Sequence, residues 1–191
     1  MISGPPTDAL HLNVLKMLKD SVDLNLAELE LAVQSRPLST VSWIARNLLE
    51  LALWSEHCGT SKENAHVFML DATRDAADMV NIPDGPLVLT SLKSVRQDLL
   101  DKAAADGFDI EQAYQRMNKI ANSLGREDTY KYFNKLLSKF AHPTAIAIFS
   151  LGSDTEQRLR AKFYELGRNL GGSALVFLNQ SATRIVENKT P

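Results

Sequence analysis

A single cysteine, Cys58, occurs in 191 residues. No internal disulfide can therefore brace the chain, and a reducing, cytoplasmic setting suits it. Histidine is scarce too: His11, His57, His66 and His142 show neither HxxxH nor HExxH spacing. With no cysteine pair either, no metal site is expected. Gly-rich phosphate loops following a strand are also missing, so no nucleotide cofactor is expected. Neither sign of charge dominates, since 21 Lys+Arg stand against 23 Asp+Glu. The whole chain thus carries no electrostatic signature of nucleic-acid binding. No run reaches about 18 uninterrupted apolar residues, and no transmembrane helix is expected. The opening Met1-Ile2-Ser3-Gly4-Pro5-Pro6 has no basic or apolar stretch of the kind a signal peptide needs.

What is present is ordinary globular material, 45% hydrophobic and 23% charged, enough for one self-sufficient core. The expectation is a single all-α domain over residues 1–191, a bundle of six to eight helices. Thr7 or Asp8 can cap a first helix over 8–34, whose apolar residues from Leu10 to Val33 recur at three and four spacing. Arg36-Pro37 ends it. Ser39 can cap a second to His57, with Gly59 as the stop, and Ser61 a third to Val80. Pro83-Asp84-Gly85-Pro86 is a break. A fourth helix is expected over 90–107. Asp109 and Gln112 have capping-box spacing for a fifth to Leu124, stopped by Gly125. A sixth covers 127–141, a short turn 144–150, and Asp154 caps a long last helix to Val186. There Gly171-Gly172 marks a close approach or a kink. Leu87-Val88-Leu89 and Leu175-Val176-Phe177-Leu178 have strand composition, but neither has a hairpin partner. Connections of 3–8 residues suit an antiparallel bundle.

The second helix is apolar nearly all round, so it belongs in the middle of the bundle. Arg46 and Glu50 nevertheless lie within it, on one stripe with Ser42, Leu53 and His57. A charge there must be paired or must face a cavity. Two readings follow: a structural Arg46–Glu50 ion pair capped by another helix, or a polar pocket between helices; Glu50 is expected to be largely buried and paired with Arg46 or His142. On the sixth helix Lys131, Lys135, Ser138, Lys139 and His142 fall within about 100° of one another. A solvated face accounts for the lysines. His142, before Pro143, either caps free carbonyls or serves as a proton-transfer group. Residues 112–142 hold six Lys+Arg interleaved with Tyr114, Tyr130, Tyr132, Phe133 and Phe140. That mixture is compatible with single-stranded nucleic acid, although Phe133 and Phe140 follow the core period.

Two segments carry a resemblance. One is Trp43-Ile44-Ala45-Arg46-Asn47-Leu48-Leu49-Glu50. The other runs from Ile120-Ala121-Asn122-Ser123-Leu124-Gly125 through Tyr132 to Leu137-Ser138-Lys139-Phe140-Ala141-His142-Pro143. Their R-x-x-x-E helix and S-x-x-x-H-P segment resemble an uncharacterised bacterial helical family similar to the HEPN superfamily. The resemblance implies a helical bundle, often a homodimer, working with a protein partner such as an antitoxin in a regulatory or defence system. It also implies an alternative, a metal-independent ribonuclease whose R-x4–6-H motif acts on RNA. His142 matches that histidine, while the arginine position is filled by Lys135, Leu136 or Leu137. The candidate site is therefore Arg46, Glu50, Ser138 and His142, with Lys131, Lys135 and Lys139 as contacts for RNA.

Overall fold

The computed structural model describes residues 6–78 and 116–188, together with Gln97, Asp98 and Asp101, which are helical. Seven helices are defined among them: α1 (Asp8–Ser35), α2 (Leu38–Thr60), α3 (Lys62–Asp78), α4 (Met117–Ser123), α5 (Glu127–Ala141), α6 (Ala145–Phe149) and α7 (Asp154–Glu187). No strand occurs among the described residues, and Leu175-Val176-Phe177-Leu178 is helical. The Pro83-Asp84-Gly85-Pro86 break, the Leu87-Val88-Leu89 run and the Asp109–Gln112 capping box lie outside the described residues.

Helix ends follow local chemistry, with instructive exceptions. Thr7 caps α1 by accepting from the Leu10 amide, and Arg36 before Pro37 is extended, as pre-proline sterics require. Pro37, not Ser39, takes the N-cap of α2. Its ring presets φ near the value a helix entry needs and leaves no amide to satisfy. Gly59 does not stop α2, which continues to Thr60. There a Cβ would stand 2.5 Å from the Phe177 ring, so this glycine serves close packing against α7. Ser61 caps α3 through the Asn64 amide.

The helix expected from Asp109 begins at Met117, because Arg116 is extended. It stops at Gly125, at φ +68°. The Arg126 amide reaches Ala121 O and the Gly125 amide reaches Asn122 O, the paired bonds of a left-handed glycine C-cap. Ser153, one residue earlier than expected, caps α7. The helix then runs unbroken through Gly171-Gly172.

α2 is the hub, touching α1, α3, α4, α5 and α7. Val41, Ile44, Ala45, Leu48, Leu49 and Leu53 are buried in it. They meet Val14, Leu18, Val22 and Leu29 of α1, Leu137 and Phe140 of α5, and Phe163, Ala174 and Leu178 of α7. Side-chain bonds fix how α5 lies on α2. Ser42 Oγ donates to Leu137 O at 2.7 Å, Arg46 Nε to Asn134 Oδ1 at 2.8 Å, and Arg126 to Glu56 at 2.8 and 3.2 Å. Residue numbers rise on one helix as they fall on the other, so the two run antiparallel. No helix among the described residues is long and apolar enough to cross a membrane.

Candidate functional site

The antiparallel register decides which candidate residues meet. Arg46 and Glu50, one turn apart on α2, are joined by an ion pair of 3.1 Å from Arg46 Nη2 to Glu50 Oε1. The other edge of the guanidinium donates to Asn134 of α5. Arg46 thus bridges two helices and uses its planar fork in two directions, which an ammonium group could not do. Both charged side chains are 31% exposed, so Glu50 is half-buried rather than enclosed. It lies where α2 turns toward solvent, on the same side as Trp43, which is 48% exposed. Beside this pair Asn47 donates to Asn25 of α1, so polar bonds tie α2 to both neighbours.

His142 lies elsewhere. It is the C-cap of α5 and shares a recess with Pro37 and Leu38 at the start of α2. Arg46 is eight residues further along α2, about 12 Å of helix rise. Glu50 is one turn beyond that. The structure therefore brings Arg46 and Glu50 together and adds Asn134, but sets His142 at the end of the bundle. Ser138 is half-buried on α5 between the two places. The His142 imidazole does not close the end of α5: the Thr144 hydroxyl donates to the Lys139 carbonyl. Lys131 is held by Glu127 at 2.6 Å, while Lys135 and Lys139 are exposed.

Asn134 was not among the expected residues. Its signal in the sequence was its position one turn before Ser138 on the face that meets α2. Partial exposure sets the energetics of the pair. Exposed and half-exposed ion pairs contribute little, and Arg46 keeps Asn134 when Glu50 is removed. Glu50→Ala is expected to cost roughly 1 kcal/mol, against the ~3–5 that enclosure would imply. A urea melt of the single variants and of Arg46→Ala/Glu50→Ala reads both that loss and the coupling.

A second polar cluster lies where α1, α2 and α3 meet. His11 Nε2 is 2.7 Å from the Cys58 carbonyl and buried. His57 Nε2 and His66 Nδ1 are buried without hydrogen-bond partners among the described residues. Burial pushes the Cys58 thiol up to about 12, which removes it as a nucleophile near neutral pH. Burial also lowers the His57 pKa below its ordinary 6.5. The folded state then binds fewer protons than the unfolded chain, and stability must fall as pH drops from about 6.5 toward the folded value. Melting temperature is expected to decline from pH 7.5 to pH 5, with a shallower decline in His57→Gln. Equal slopes in the two proteins would remove His57 as the cause. Among the described residues no group of three His, Cys, Asp or Glu side chains could hold a metal ion.

The remaining feature is apolar. Ile146, Ile148, Phe149 and Leu151 are 56%, 58%, 93% and 61% exposed around α6. On α1, Met17, Leu24 and Leu31 stand exposed at seven-residue intervals. The run Ala145-Ile146-Ala147-Ile148-Phe149-Ser150-Leu151 contains no charge; that was the available signal for the first patch. No family model, curated protein or solved structure matches this chain.

Proposed function

We propose that the chain is a HEPN-like helical module of a bacterial regulatory or defence system, acting in the cytoplasm by association with its own copy and with a protein partner. The observation that carries this reading is the amount of large apolar surface left outside a well-filled core, much of it on α1 and around α6. Soluble monomers seldom expose contiguous apolar patches beyond a few hundred Å². The ribonuclease alternative is less well supported. It needs a cation and a proton-transfer imidazole converging on one cleft. Arg46 is spent on Glu50 and Asn134, and His142 stands apart from both.

Two measurements test the proposal. Sedimentation velocity of the full chain at micromolar concentration should give about twice the 21.2 kDa chain mass; a monomer throughout removes self-association. An assay on mixed RNA in EDTA should show no cleavage by wild type. Cleavage abolished by His142→Ala, with an unchanged melting temperature, would establish the enzyme instead.

A further inference from the structure

We propose that the cleft between α5 and α7, floored by α2, is a binding site for a small apolar carboxylic acid, with Arg126 at its mouth taking the carboxylate.

The cleft follows from how the helices pack. α5 and α7 both lie on α2. They meet each other at the end of α5, where the Phe140 and Phe163 rings touch. Nearer the start of α5 they leave a space of about 340 Å³. Its inner wall is buried, with Leu49, Leu53, Tyr130 and Ala174 all lining it. The space exists because Ala52 and Ala174, which line it from α2 and α7, offer only methyl groups where a filled interior needs larger side chains. An apolar cavity of ~150 Å³ already accepts benzene, so this one has room for a chain of roughly eight carbons. Pockets of this size, mostly apolar with a few polar groups, are the usual setting for small ligands.

The polar groups decide the head of that ligand. Glu56, Arg126, Thr129 and Ser173 border the same space, and the last three are exposed, so they mark its open side. Both Glu56 oxygens already accept from Arg126. Those bonds use Nε and one Nη2 hydrogen, while Nη1 and the second Nη2 hydrogen have no partner among the described residues. A guanidinium that holds one carboxylate by its side edge keeps its end edge for another. What the mouth has left over is donors, and they call for an acceptor-only head. A carboxylate is that at neutral pH, whereas an ammonium is the reverse.

The test is isothermal titration calorimetry of the full chain with octanoate and with octanol. Octanoate should bind at a single site with a dissociation constant on the order of 0.1 mM, ordinary for a ligand of this size. Octanol should bind about tenfold more weakly, since it lacks the charge-assisted bond. Arg126→Gln should weaken octanoate about tenfold and leave octanol unchanged. Glu56→Gln removes the competing carboxylate and should tighten octanoate. Ala174→Leu fills the cleft and should abolish binding of both; Ser173→Leu does so from the exposed side if the buried change prevents folding. Absence of octanoate binding at about ten times the expected constant overturns the site. Binding that survives the leucine variants lies elsewhere and overturns the cleft. Equal affinity for octanoate and octanol, or indifference to Arg126→Gln, overturns the place of the carboxylate on Arg126.

Discussion

Replacing Phe163 by alanine is expected to cost about 3–5 kcal/mol, the usual range for deleting a buried phenyl ring. Phe163 is 2% exposed, and its ring lies 5.5 Å from that of Phe140, centroid to centroid, at a tilted angle. The loss has two parts. The transfer free energy of the ring disappears, and the space left in α7 cannot close, because Phe140 and the α2 side chains around it are held by their own helices. A domain of this size is stable by only about 5–15 kcal/mol, so about a fifth of the total or more is at stake. A urea melt should show a lower midpoint with an unchanged slope. The cycle with Phe140→Ala should reveal a ring–ring coupling of about 0.5–1.5 kcal/mol. Phe149→Ala is the control and, at a concentration low enough to keep single copies, should stay within about 0.5 kcal/mol, since that ring touches little in the single chain. A Phe163→Ala loss below about 1 kcal/mol would mean that the first turns of α7 are not anchored here. The position matters beyond stability. The Phe140–Phe163 contact ties the last turn of α5 to the third turn of α7, on either side of the segment that carries α6.

The helical character and the central place of α2 were legible because they depend on periodicity. Apolar residues all round one helix leave it nowhere to go but the middle, and α2 touches five other helices. α5 was legible to the residue, from Glu127 to Ala141, because Gly125 before it and Pro143 after it act locally. Gly59 shows where local reading stops. As a sequence signal it is a helix terminator, but in the fold it lies inside α2, where the Phe177 ring leaves no space for a Cβ. Tertiary packing, invisible in a local window, overrode the intrinsic preference.

The site was half legible for the same reason. Arg46 and Glu50 are four residues apart on one helix, so their pairing follows from helix geometry alone. Whether His142 joins them depends on the register of α5 against α2, which no spacing within either helix encodes. The bonds Ser42–Leu137 O and Arg46–Asn134 fix that register and carry His142 past Arg46 to the first turn of α2. Glu50 was expected to be enclosed because α2 is apolar all round. It is half open because the stripe holding Trp43 and Glu50 falls between the helices that cover α2 on either side. The α6 patch was not legible, since an uncharged run on a short helix does not encode which of its sides meets the bundle, and only the fold places it outside.

Two glycines of α7, five residues apart, should respond to enlargement with opposite signs. At Gly167 a Cβ would lie 2.7 Å from Leu29 Cδ2, 3.3 Å from Leu48 Cδ1 and 3.5 Å from the Ala45 backbone. Leu29 and Leu48 are fully buried, and α7 meets both α1 and α2 at this point, so neither leucine has free volume to retreat into. Gly167→Leu must either push those side chains off their rotamers or lift α7 from the hub. The expected loss is about 1–3 kcal/mol, the range for overpacking a filled core. It outweighs the roughly 1 kcal/mol by which any helix gains when glycine is replaced by a better helix former. Gly172 has nothing within 4 Å of its Cβ position and no positive φ. Gly172→Ala therefore keeps only the second effect, a gain of about 0.5–1 kcal/mol from the reduced freedom of the unfolded chain. Urea midpoints measured side by side should move in opposite directions. A stabilised Gly167→Leu would show that α1, α2 and α7 are looser at their crossing than this packing requires, and that the glycine is not what lets them close.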